Sequence, residues 1–100
     1  MRTLEIEKLE DCFDGSSVFR YRMEQPWTAR AISQLAQFGA LDYFREFPRP
    51  YFRVRNPGGL EIKGLEGECA CRVIFPRTGR EQLRERWEEF LQHSLRVPTY

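Results

Sequence analysis

One hundred residues, 41% hydrophobic and 14% aromatic, make a single domain with one modest core, and exclude both a disordered chain and a two-domain protein. Charged residues reach 31%, yet the net charge is only +1, which argues against a strongly basic, general nucleic-acid binder. No apolar run approaches the roughly 18–20 residues of a membrane span, and MRTLEIEKLED lacks the apolar stretch of a signal peptide, so a soluble, cytoplasmic domain with no membrane partner is expected.

Thr3 to Leu9 alternates, with Leu4 and Ile6 on one side and Glu5 and Glu7 on the other, the pattern of a half-buried strand. Residues 10–17 hold turn chemistry around Asp14-Gly15, and Val18 to Glu24 alternates again with Phe19, Tyr21 and Met23 on one face. The two strands read as a hairpin. Pro26 suits the first turn of a helix whose apolar stripe is Trp27, Ala31, Ile32, Leu35 and Phe38, ended by Gly39. In residues 40–50, Leu41, Phe44 and Phe47 have the spacing of one further helical turn before Pro48 and Pro50 stop it.

Tyr51 to Arg55 is predicted as a strand, Asn56-Pro57-Gly58-Gly59 as a turn, Leu60 to Lys63 as its partner strand, Gly64 to Gly67 as a second turn and Glu68 to Phe75 as the last strand. Thr78 with Glu81 three residues on forms a capping box for a final helix with Leu83, Trp87, Phe90 and Leu91 on its apolar stripe. The order β-β-α-β-β-β-α predicts a two-layer α+β domain over residues 1–96, with a mostly antiparallel sheet of about five strands, both helices on one face and a tail at 97–100. The expected core includes Leu4, Ile6, Phe19, Tyr21, Ile32, Leu35, Val54, Ile62, Val73, Leu83, Trp87 and Phe90.

Several constellations bear on function. Alternation places Arg20, Arg22, Arg53, Arg55, Lys63 and Arg72 on the sheet face away from the helices, together with Glu5, Glu7, Glu24, Glu61 and Glu68. Cross-strand ion pairs on a solvated face account for such a mixture. Tyr51 is the one aromatic of that parity, too few for base stacking, so nucleic acid is disfavoured. Residues 44–53 interleave aromatics, prolines and arginines. Aromatic and Arg side chains dominate binding hot spots, so Arg45, Arg49, Tyr51 and Arg53 are the candidate partner or ligand residues. Arg77, Thr78, Gly79 and Arg80, at a helix start, are a weaker candidate for an anion.

Cys12, Cys69 and Cys71 are odd in number; Cys69 and Cys71 share the inner strand face by parity, and no second ligand pair is present for a metal. The only histidine, His93, sits near a helix end, where the dipole explains it. No nucleophile has an identifiable base, so no catalytic residue, metal or cofactor is assigned. The expectation is a non-enzymatic protein-interaction module that docks another protein or a second copy of itself. The alternative is a domain for a small anionic ligand or single-stranded nucleic acid.

Overall fold

The computed structural model describes residues 5–94; Leu4 and the expected 97–100 tail lie outside the described residues. Strands β1 (Glu5–Asp11) and β2 (Ser17–Arg22) precede helix α1 (Ala29–Gln34), which tightens into a 3-10 turn over Leu35–Phe38. Four strands follow, β3 (Ala40–Phe44), β4 (Tyr51–Arg55), β5 (Glu61–Leu65) and β6 (Ala70–Phe75), and then helix α2 (Arg80–Ser94). They build one antiparallel sheet of spatial order β1-β2-β6-β5-β4-β3. The α+β class and the element order stand; the sheet has six strands rather than five.

The additional strand is the segment whose spacing suggested a helical turn. Residues Ala40 to Phe44 pair with β4, from Ala40 opposite Arg55 to Phe44 opposite Tyr51. In strand geometry Leu41 and Tyr43 reach the core while Ala40, Asp42 and Phe44 face away. The every-third spacing of Leu41, Phe44 and Phe47 loses to this two-residue alternation because the exposed edge of β4 offers a ladder of backbone partners, whereas a single helical turn is held by almost none.

One core holds the layers together. Phe19, Tyr21, Phe52, Val54, Ile62, Val73 and Phe75 project from the sheet onto Ile32, Leu35 and Phe38 of the first helical segment and Trp87, Phe90 and Leu91 of α2. Trp27, just before α1 and 1% exposed, stacks on Trp87 at 6.2 Å and meets Phe52 edge-on at 5.0 Å, joining α2 to the sheet. Fully burying an aromatic side chain contributes about 1.5–3 kcal/mol. Tyr21 donates to Glu88 Oε2 at 2.8 Å, and Arg84, over the Phe19 ring at 5.2 Å, donates to the same carboxylate, which fixes α2 against β2. Burial, reinforced by Glu88, raises the Tyr21 pKa.

Other expectations are corrected. Ile6 is 39% exposed, because edge strand β1 extends past the reach of the helices, and Leu83 is only half-buried. Pro26 does not open α1; Thr28 caps it, its Oγ1 accepting from Ala31 N at 3.1 Å. The second helix starts at Arg80, with the Gly79 carbonyl accepting from Leu83 N at 3.1 Å and Gly79 at φ +74°, a left-handed conformation that glycine adopts without a Cβ clash. Cys69 is exposed, not inward beside Cys71, because the alternation begins only at Ala70. Among the described residues no helix is long and apolar enough to cross a membrane.

Candidate functional site

Both helices cover one face of the sheet, so the other is open, and the register decides what it presents. Glu7 lies opposite Arg20, Arg20 opposite Arg72, Arg72 opposite Lys63, Lys63 opposite Arg53 and Arg53 opposite Asp42. Four cations thus stand in line across the four central strands, with one carboxylate at each edge. At the usual strand spacing the cationic row is about 14 Å long.

The carboxylates neutralise the ends more than the middle. Glu7 pairs with Arg20 at 3.2 Å, and Asp42 pairs with Arg53 at 3.1 Å and Arg55 at 4.0 Å. Glu61 holds Lys63 at 3.4 Å from two positions along the same strand. The Arg72 side chain, between Arg20 and Lys63, has no hydrogen bond or ion pair among the described residues. Arg53 Nε is buried without an acceptor. Cross-strand ion pairing, expected for the whole face, is thus seen near the two edges, at Glu7–Arg20 and Asp42–Arg53.

Beside the cations runs an apolar strip. Phe44 and Tyr51 face each other across β3 and β4, with rings 5.6 Å apart and 20° from parallel; Phe47, from the β3–β4 turn, stacks on Phe44 at 5.8 Å and 12°. Phe47 is 50% exposed, Phe44 and Tyr51 are half-buried, and only Phe52 of this segment is core. Leu65 continues the strip opposite Tyr51. A groove of about 470 Å³ lies where strip and row meet, lined by Arg20, Lys63, Arg72, Tyr51, Leu65 and Glu68. Glu68 carries its own counter-charge, an ion pair with Arg49.

Of the sequence candidates, Tyr51 lines this groove and Arg53 ends the row of cations. Arg49 touches the groove only through Glu68, while Arg45 lies over the Tyr43 ring at 5.2 Å, off the open face. The second candidate lies at the far end of the molecule. Arg80 donates to the carbonyls of Pro76 at 3.3 Å and Gly15 at 2.5 Å, tying α2 to the β1–β2 turn. The side chain of Arg77 lies against Gly15, where an added Cβ would be 2.7 Å from Arg77 Cδ. Glu81 lines the same cavity as Arg77, Gly79 and Arg80, placing a carboxylate beside any anion there; Thr78 is exposed nearby.

The sequence places Arg20, Lys63 and Arg72 on this face but does not mark them as a site. A signal for part of it was present: the Asn56–Gly59 turn sets Arg53 opposite Lys63, and the following turn sets Lys63 opposite Arg72. The placement of Arg20 had none, since it comes from pairing strands far apart in sequence. Cys12 is half-buried, Cys69 and His93 are exposed, and burial pushes the Cys71 thiol pKa up, keeping it protonated. Among the described residues no group of three His, Cys, Asp or Glu side chains is placed to hold a metal ion. No family model matches the chain, and no curated protein or solved structure matches it either.

Proposed function

We propose that the chain is a non-enzymatic interaction module that docks a partner protein on the uncovered face of its sheet. The observation that carries this reading is the register of Arg20, Arg72 and Lys63, three cations directly opposite one another on neighbouring strands. Like charges in that relation destabilise a sheet. The arrangement weakens the free protein and is relieved when an anionic group lies across it. The stacked Phe44, Phe47 and Tyr51 rings beside it supply apolar contact, so residues of the types that dominate hot spots flank one groove.

The test compares affinity capture by the parent with capture by an Arg20→Ala/Lys63→Ala/Arg72→Ala variant that melts no lower than the parent. Proteins retained by the parent and lost by the variant support the docking face; identical or empty captures refute it. Light scattering shows whether the partner is a second copy, which must then dissociate in the variant.

A second reading, single-stranded nucleic acid or a small anion in the same groove, draws on the three rings, which the sequence had reduced to Tyr51 alone. A base can stack on Tyr51 while its phosphate meets Lys63 and Arg72. Nucleic-acid binding must weaken steeply with salt, so absence of retention of a single strand at low salt removes that branch. A thermal-shift screen with phosphate and carboxylates tests the small-anion branch.

A further inference from the structure

We infer that what enters the groove is a short acidic stretch of the partner protein carrying one aromatic or large aliphatic side chain. This rests on the docking face proposed above and names the chemistry of its occupant. The positive charge is confined: Glu7 and Asp42 close the row at its two edges, and Glu61 borders it along β5. An anion centred on Arg72 and Lys63 gains two cations with Arg20 in reach, but a polyanion running on across the sheet meets a carboxylate at either side. A nucleic-acid strand, with a charge at every residue, is therefore a poorer fit than a segment with two or three carboxylates.

The groove also has two unlike walls. Cationic Arg20, Lys63 and Arg72 form one, and Tyr51 and Leu65 form the other, continued by Phe44 and Phe47. An occupant satisfying both has its negative groups next to an apolar side chain. A segment lying across the strands in extended form presents alternate side chains to one face about 6.8 Å apart. That spacing lets carboxylates reach neighbouring cations of the row while an adjoining apolar group lies on the Tyr51 ring. Among the described residues the Arg72 side chain has no partner to give up on binding.

The experiment titrates isotope-labelled full chain by NMR with a short peptide in which aspartates and glutamates flank one phenylalanine. The comparison probes are the same peptide with serine for phenylalanine, an oligothymidylate and inorganic phosphate. The expected result is saturable shifts at Tyr51, Lys63, Leu65 and Arg72, with affinity at least about tenfold weaker for the serine peptide and for Arg72→Ala. Unchanged binding by Arg72→Ala, no shifts at these positions, or tighter binding of oligothymidylate or phosphate than of the peptide overturns the inference. If the peptide fails while the triple variant still loses its captured protein, the occupant is wrong and the docking face survives. If the triple variant captures the same proteins as the parent, the face itself is wrong. A well-dispersed spectrum of Arg72→Ala confirms that a loss reflects the groove and not the fold.

Discussion

Arg72→Gln tests whether the row of cations weakens the free protein. Arg72 faces Arg20 on one side and Lys63 on the other, and glutamine keeps much of the side-chain stem while removing the charge. Taking the cross-strand Cα spacing of about 5.5 Å as the closest separation of the charges, two unit charges repel by at most about 0.75 kcal/mol in water and about 0.4 kcal/mol at 0.1 M salt. Glu7 and Glu61 partly neutralise the two neighbours, so each repulsion falls at the lower end of the measured cross-strand range, about 0.3–0.4 kcal/mol at low salt. The pair together gives a gain of about 0.7 kcal/mol, which for a domain of this size raises the melting temperature by about 3–6 °C. Melts at about 20 mM and about 500 mM salt check it, since screening at the higher salt reduces the gain to about 1–2 °C. A variant that melts at or below the parent in low salt, or whose gain ignores salt, refutes the claim that these charges strain the sheet.

Trp87→Ala, at a site with no exposure, should cost about 3–5 kcal/mol and leave little folded protein; a melt like that of the parent would contradict the placement of α2. Gly64→Ala should cost about 1–2 kcal/mol, because the new Cβ meets Phe52 Cζ at 2.6 Å in the core, and adding Phe52→Leu should recover part of the loss; additive losses in the pair would exclude that clash as the cause. Hydroxyl donors from Ser17 and Ser16 hold the carboxyls of Asp11 and Asp14 below their ordinary 3.8, so their contribution is present above that value and lost as pH falls through the lower folded value. Asp11→Asn/Asp14→Asn should therefore lose less stability than the parent between about pH 4 and pH 2 in urea titrations, and parallel loss would rule the pairings out. Cys69→Ala/Cys71→Ala should keep peptide binding, and purified protein should carry no stoichiometric zinc by metal analysis; one zinc per chain would reverse the reading of the thiols.

Alternation carried most of the fold. It placed Phe19, Tyr21, Phe52, Val54, Ile62 and Val73 inward without any knowledge of strand order, because side-chain direction depends only on the local chain. β3 is not legible in the sequence because Ala40–Phe44 is short, and its partner lies beyond an irregular proline-containing turn. Without β3, Phe44 has no place on the open face, and parity shows only Tyr51 of the aromatic strip. The charge pattern of the open face was half legible: which residues lie there follows from parity, but whether Arg72 meets an acid or another cation depends on which strand lies beside β6. Composition cannot supply that neighbour. The Arg77–Arg80 stretch had the opposite fault, a local pattern suggestive by itself whose Arg80 guanidinium is engaged by the carbonyls of Gly15 and Pro76.

The pairing of β2 with β6 differs from the other ladders in one respect. β1 with β2, β3 with β4, β4 with β5 and β5 with β6 each join neighbours along the chain, whereas Ser17 meets Phe75 and Arg22 meets Ala70 only after the whole intervening meander has been made. Closing so long a loop is entropically slow, so the ladder between the amino-terminal hairpin and the meander is the one that forms late in folding. The groove straddles this join, with Arg20 on the hairpin side and Arg72 and Lys63 on the meander side. A molecule gripped by Arg20 and Arg72 together bonds across the slowest-made ladder of the sheet, and acts there as a clasp.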